Sequence, residues 1–134
     1  LIVDYGPAES AAGDSLQAVR RHRPVDPLAD PGEADLTAHV DFAALARAAT
    51  AASAAAHGPL PQGLLLDRLG LGLRTAALVE RATPAQARDL GAAARRLRDP
   101  AEMGRLFKAL AIAAPGLTPP GFESPTGSGR APSS

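Results

Sequence analysis

Residues 32–42, GEADLTAHVDF, alternate polar and apolar side chains along the chain. A period of two predicts an extended segment that presents its polar groups on one side. From Phe42 onward, apolar residues recur at helical spacing, so Asp41 is expected to cap a helix. The pattern therefore predicts a polar strip that leads into a capped helix. Its polar members are Glu33, Asp35, Thr37, His39 and Asp41.

An apolar run predicts a β-strand at Leu1–Asp4, which Gly6 and Pro7 end because proline cannot continue a ladder. Such a run is typical of a parallel strand buried on both faces, and no turn signal precedes it. We therefore expect a C-terminal fragment of a larger sheet. Asp4 and Tyr5 would stand at the carboxyl end of the strand, where open α/β sheets bind ligands. The alternative is that Asp4 only caps the turn.

The pattern of Ser15–His22 predicts a second short strand, which carries Gln17. A loop without regular structure is predicted next, because the chain then contains Pro24, Pro27 and Pro31. After the helix that begins at Asp41, alanine propensity favours helix as far as Ala56. Tertiary pairing would instead favour a short strand at Ala54–Leu60.

Leucine-rich segments predict two short helices, Gln62–Leu69 and Leu71–Ala82, separated by Gly70. A third helix has a capping box, because Thr83 precedes a proline and Gln86 follows three residues later. Its inward stripe consists of Ala87, Leu90, Ala94 and Leu97, and its outward arginines are Arg88, Arg95, Arg96 and Arg98.

Asp99–Glu102 repeats this start signal and predicts a fourth helix, which carries Met103, Leu106 and Phe107. Lys108–Ala114 would continue as helix or form a strand. From Pro115 onward, 13 of 20 residues are proline, glycine or serine, which predicts a disordered tail because too little apolar surface can be buried. We thus expect one folded unit at 1–114 and a tail at 115–134.

The charges balance overall but not along the chain. There are 14 basic and 14 acidic residues, yet residues 1–46 carry 8 acids against 3 arginines. Opposed halves and only 4 aromatic residues disfavour a nucleic-acid partner. The chain contains no cysteine, which suits a reducing bacterial cytoplasm. No apolar run approaches the length of a membrane span, so no membrane partner is expected.

Few motifs in the sequence carry chemistry. The 3 histidines, His22, His39 and His57, lack the spacing of metal ligands, so no metal site is expected. No nucleophile elbow, P-loop or dinucleotide-binding glycine motif is present. The residues alone predict an α/β piece that has one polar strip and no catalytic apparatus of its own.

Five stretches, in this order and spacing, resemble the C-terminal part of the MidA family of class I SAM-dependent methyltransferases. This family is related to the mitochondrial complex I assembly methyltransferase. The resemblance covers roughly residues 1–122, and PGEADLTAHVDF is its most specific part. The stretches are LIVDYG, GDSLQAVRRH, DPLADPGEADLTAHVDFAALARAA, GPLPQGLLLDRLGL and DPAEMGRLFKALAIAAPGLTPPGF.

The resemblance implies an α/β fold, the C-terminal part of a Rossmann-like methyltransferase sheet with helical insertions. LIVDYG would be the fifth strand and SLQAVRRH a flanking strand or hairpin near the substrate side. HGPLPQ and LFKALAIA would form a late antiparallel pair at the sheet edge, so a strand replaces helix after Thr50. The SAM-binding glycine loop of the family lies before LIVDYG. S-adenosyl-L-methionine would therefore be bound mainly outside this chain, and the fragment alone would be inactive.

The resemblance further implies an enzyme that methylates a protein substrate on arginine. This chain would supply the substrate side of the site, with candidates Asp4, Tyr5, Gln17, Asp35, His39 and Asp41. Carboxylates would orient a guanidinium, and His39 would act as base. The alternative roles are structural: Asp41 caps its helix, which we favour, Asp35 fixes a turn, and His39 bonds to backbone.

A second hypothesis from another class is a non-catalytic interaction module, which docks on a partner through the apolar helices at 62–82. Exposed apolar faces also predict self-association into a homo-oligomer.

Overall fold

The computed structural model describes residues 1–10, 13 and 15–123. The described residues form two three-stranded β-sheets and five helices, so the fold is of the mixed α/β class. The strands are β1 (Ile2–Tyr5), β2 (Gln17–Arg20), β3 (Arg23–Val25), β4 (Asp35–Thr37), β5 (Ala55–Pro61) and β6 (Phe107–Ala113). The helices are α1 (Phe42–Ala51), α2 (Gln62–Arg68), α3 (Leu71–Val79), α4 (Pro84–Arg98) and α5 (Met103–Leu106).

The main sheet has the order β1-β6-β5, and β6 runs antiparallel to both neighbours. Strands β1 and β5 are therefore parallel to each other across β6. The late antiparallel pair at the sheet edge is confirmed, as is the strand expected near Ala54–Leu60. Pairing of β5 with β6 overrides the helix propensity of the alanine run. The other edge of β1 has no strand partner among the described residues, and Leu1 is exposed.

The core lies around the centre of β6. Ala109 and Leu110 point to opposite faces of the strand, yet both have no exposed surface. The sheet is therefore covered on both sides. Helix α1 contributes Phe42, which is also fully buried, and Ala49. The predicted cap of this helix is confirmed, because Asp41 Oδ1 accepts a 2.8 Å hydrogen bond from the backbone N–H of Ala44.

The helices between β5 and β6 follow their local start and stop signals. The capping box of α4 is present: Gln86 N–H donates to Thr83 Oγ1, and the Gln86 side chain accepts from Thr83 N–H. Gly70 takes a left-handed φ of 81°, which ends α2 and begins α3. Neither α3 nor α4 contains a buried residue, and Leu73 is 82% exposed. The insertion is thus a lightly packed layer beside the sheet.

A second, smaller sheet has the order β3-β2-β4. The strand predicted at Ser15–His22 is confirmed in its central part. The loop predicted around Pro24 is wrong there, because Pro24 lies in β3 opposite Val19. Proline is tolerated in this position because β3 is an edge strand and its N–H is not required for the ladder. Only Ala18 is buried in this sheet.

The predicted fourth helix begins later and ends earlier than expected. Asp99 Oδ1 accepts from Ala101 N–H at 2.8 Å, and the Asp99 carbonyl accepts from Gly104 N–H at 3.0 Å. These bonds fold the Asp99 segment into a turn, so helix starts only at Met103. Phe107 is not helical, because it pairs with Tyr5 as the first residue of β6.

Residues 121–123, which the sequence placed in a disordered tail, lie against α2. Arg68 donates to the carbonyl oxygens of Gly121 at 3.0 Å and Glu123 at 3.3 Å. A Cβ at Gly121 would lie 2.6 Å from Leu65 Cδ1, so the backbone approaches the helix too closely for a side chain. The structure therefore differs from the prediction over this stretch. The rest of the predicted tail, residues 124–134, lies outside the described residues.

Candidate functional site at the carboxyl end of strand β1

The carboxyl end of β1 brings three aromatic rings together. Tyr5 meets His39 edge to face, with centroids 5.9 Å apart, and meets Phe107 in the same way at 5.7 Å. Val40 N–H donates to the Tyr5 carbonyl at 3.1 Å, which ties the polar strip to the strand end. The backbone of Val40 occupies the space that a Cβ at Gly6 would need. Close packing thus fixes His39 relative to β1.

A cleft of about 710 Å³ opens at this end of the sheet. The residues that follow β1, the polar strip, the Asp99 turn, α5 and the start of β6 all contribute to its wall. The lining residues are Gly6, Pro7, His39, Pro100, Ala101, Glu102, Arg105, Leu106 and Lys108.

Charged groups dominate the polar part of this cleft. Lys108 Nζ donates to the Arg105 carbonyl at 2.8 Å and to the Leu106 carbonyl at 3.3 Å. Glu102 Oε1 lies 3.4 Å from Nη2 of Arg95, and the Glu102 side chain is 34% exposed. A carboxylate that already holds one guanidinium by a single oxygen has a second oxygen free for another donor.

Asp4 lies next to this cleft rather than in its wall. One carboxylate oxygen accepts from the N–H of the next residue, Tyr5, at 2.8 Å, a contact within β1 and not with the turn that follows. Across the sheet Asp4 is the register partner of Lys108. The structure therefore gives Asp4 a local backbone contact and a position opposite Lys108 in the sheet.

Asp41 is the N-cap of α1. Besides the bond from Ala44, both its oxygens accept 2.8 Å contacts from the Ser10 hydroxyl, which also accepts from Arg47 Nη2 at 3.3 Å. The Ala44 hydrogen bond, followed by the Ser10 hydroxyl and the charge of Arg47, lowers the pKa of Asp41 below its ordinary value of 3.8. The carboxylate is thus held ionised as a helix cap.

Gln17 and Asp35 lie on the small sheet. Gln17 pairs with Thr37, and Asp35 with Val19, and both side chains are exposed. Asp35 shares a polar depression of about 270 Å³ with Arg20 and Glu33. Arg20 is bonded there to Asp30 at 3.0 Å and lies 3.6 Å from Glu33. Asp35 and Gln17 therefore occupy a different surface from Tyr5 and His39.

Among residues 1–10, 13 and 15–123, no three histidine or carboxylate side chains are grouped as metal ligands would be. No helix in this part of the chain has the length and hydropathy needed to span a bilayer.

Residues 1–60 match the profile of a family described as "Putative S-adenosyl-L-methionine-dependent methyltransferase". The fruit-fly (Drosophila melanogaster) protein arginine methyltransferase NDUFAF7 homolog, mitochondrial, is 39% identical over 113 residues, 84% of this chain and 26% of its own length. The chain belongs to this SAM-dependent methyltransferase family.

Further proteins similar to this chain support the same family. The NDUFAF7 protein arginine methyltransferase of Xenopus laevis is 34% identical over 84% of this chain and 25% of its own length. A COG1565 superfamily member from Burkholderia thailandensis, bound to S-adenosyl-homocysteine, is 30% identical, with a TM-score of 0.67 over 91% of this chain and 32% of that chain. This chain therefore spans about a quarter of the curated relatives and a third of the solved one.

The comparisons give no support to the alternative of a non-catalytic interaction module at 62–82. Helices α2 to α5 nevertheless enclose an open, mostly apolar cleft of about 920 Å³.

The structure brings Tyr5 and His39 together, places Asp4 nearby, and leaves Gln17, Asp35 and Asp41 at other surfaces. Sequence reasoning missed Glu102, Arg105 and Lys108 as residues of this cleft. Their only signal was that they precede or begin the stretch LFKALAIA, which was expected to pair at the sheet edge. Because β6 runs antiparallel to β1, the first residues of β6 lie at the carboxyl end of β1.

Proposed function

We propose that the protein carrying this chain transfers a methyl group from S-adenosyl-L-methionine to an arginine of a protein substrate. This chain supplies part of the substrate side of that site. The proposal draws on the arginine methyltransferase names of the relatives and on the S-adenosyl-homocysteine bound to the solved neighbour. The relatives and the solved neighbour are much longer than this chain, so we propose the activity for the longer protein.

The observation that carries this placement is the charged cleft at the carboxyl end of β1. Ligands of open α/β sheets bind outside the carboxyl ends of the strands. The cleft of about 710 Å³ has the size of a ligand site and is lined by charged and apolar groups. It is also the place where the candidate His39 meets the sheet.

The described residues do not by themselves fit the methyl donor. A nucleotide-like ligand needs a glycine turn that lets backbone N–H groups approach it. Gly6 follows β1, but the space beside its Cα is filled by the backbone of Val40 rather than open to a cleft. We therefore propose that S-adenosyl-L-methionine is held mainly by parts of the protein outside this chain.

The cleft residues can position an arginine acceptor. A guanidinium stays protonated over the whole physiological range. Its methylation therefore requires a carboxylate to orient it and a base to take a proton from the nitrogen that accepts the methyl group. Glu102 already contacts the guanidinium of Arg95 through one oxygen. We assign Glu102 to orientation and His39, whose side chain is exposed to the cleft, to proton removal.

Methyl transfer with labelled S-adenosyl-L-methionine and the full-length protein tests the activity. We expect label in methylarginine after hydrolysis of the protein products. Binding of S-adenosyl-homocysteine, followed by calorimetry, serves as the control for a folded donor site. Label in another amino acid, or none at all from a protein that binds S-adenosyl-homocysteine, would contradict arginine as the acceptor.

A further inference from the structure

Two cations in the cleft at the carboxyl end of β1 are not paired with carboxylates. The ammonium of Lys108 donates to two backbone carbonyls, which use two of its three N–H groups without neutralising its charge. The guanidinium of Arg105 forms no ion pair with any residue in the described part of the chain. Both side chains line the same cleft.

Neither of the nearby carboxylates is paired with Arg105 or Lys108. Glu102 pairs with Arg95 at 3.4 Å. Asp4 is the register partner of Lys108, but its carboxylate accepts from the N–H of Tyr5 and forms no ion pair with the ammonium. The free charge of the cleft is therefore positive.

Glu102 can orient the guanidinium of an arginine acceptor, but Arg105 and Lys108 repel an isolated arginine, because like charges at close range repel. The repulsion is removed when the acceptor carries its own carboxylates into the cleft. Arginine and lysine together are well suited to such a group, since Arg105 can bind a carboxylate in a fork and Lys108 adds a point charge.

We propose that Arg105 and Lys108 form a carboxylate-binding subsite, and that the substrate class is an arginine flanked by aspartate or glutamate. The cleft is large enough for several residues of an extended peptide, and Leu106, which is 56% exposed, offers an apolar contact in the same wall. The choice of arginine rests on the proposed function, whereas the carboxylate contact rests only on the two unpaired cations.

Peptide binding to the full-length protein, saturated with S-adenosyl-homocysteine, tests the subsite. The probes are two fluorescent peptides that share one central arginine, one flanked by aspartates and the other by asparagines. We expect the aspartate peptide to bind more tightly. Arg105→Gln should reduce this preference about two- to five-fold, the size of an exposed charge pair. Arg88→Gln is the matched control, because Arg88 is an exposed arginine of α4 outside the cleft at the carboxyl end of β1.

Charge reversal gives a second variant that does not depend on loss of binding. Arg105→Glu should bind a lysine-flanked peptide more tightly than the wild type does. Equal affinity of the two original peptides, or an aspartate preference unchanged in Arg105→Gln, would overturn the subsite. An aspartate preference without methylarginine in the product would support the subsite and contradict the proposed function instead.

Discussion

The two sheets of this chain hold candidate polar residues in opposite ways. In the main sheet, β6 is covered on both faces, and its neighbours fix Tyr5 and His39 by ring contacts and a backbone hydrogen bond. In the small sheet, only Ala18 is buried, all three residues of β3 are exposed, and Asp35 stands on the surface.

The difference shows which polar residues can be held in one position. A catalytic or orienting group must be kept within a fraction of an ångström by packing around it. The carboxyl end of β1 provides such packing, whereas the small sheet relies on exposed ion pairs such as Arg20–Asp30. Exposed pairs contribute little to order or stability. The comparison therefore favours the main sheet as the place of the proposed chemistry.

The same substitution in both sheets should separate them most strongly. Leu110 in β6 has no exposed surface, whereas Leu36 in β4 is 61% exposed. In the full-length protein, Leu110→Ala should lower the free energy of unfolding by about 2–5 kcal/mol, because it leaves a cavity in the core. Leu36→Ala should lower the free energy of unfolding by less than about 1 kcal/mol. Denaturant unfolding measures both, and equal losses would remove the contrast between the sheets.

A pair of glycines tests the close packing at the strand end. Gly6→Ala places a methyl group against the Val40 backbone and should lower the free energy of unfolding by about 1–3 kcal/mol. Gly91→Ala, inside α4 with open space around it, should be neutral or raise that free energy by up to about 1 kcal/mol. If Gly6→Ala is as stable as wild type, the contact that fixes the polar strip is not tight.

The smallest effect concerns pH. The lowered pKa of Asp41 means that its ionised form stabilises the fold. This contribution is present above the ordinary pKa and is lost as the pH falls through the lower, folded-state pKa. Asp41→Asn keeps a good helix cap but removes the titration. The variant should therefore lose less stability than wild type when unfolding is followed from pH 5 to pH 2. An identical acid dependence would show that Asp41 is not held ionised.

Local signals were enough to predict some of these elements from the sequence. The capping box of Thr83 and Gln86 and the cap at Asp41 depend on residues three positions apart, so the sequence predicts them directly. Phe107 and Pro24 could not be placed in this way. Each lies in a strand because of a partner elsewhere in the chain, Tyr5 or Val19, and that pairing overrides the local helix or loop signal.

The cleft illustrates the same limit. Tyr5 and His39 were predicted as candidates from a strand end and an alternating segment, and the structure brings them into contact. Glu102 belongs to a helix-start signal and Lys108 to no motif, so neither is marked as a cleft residue by the sequence. They reach the cleft because an antiparallel register joins the two ends of the chain, and a single sequence contains no direct signal for that register.

Methyl transfer by paired variants tests most directly whether the chemistry lies at the main sheet. In the full-length protein, His39→Gln should lower kcat about 10²-fold, the contribution typical of a general base, with the affinity for S-adenosyl-homocysteine unchanged. Asp35→Asn on the small sheet should leave kcat and the affinity for S-adenosyl-homocysteine near the wild-type values. A large loss of kcat in Asp35→Asn together with an active His39→Gln would contradict the account and move the substrate side to the small sheet.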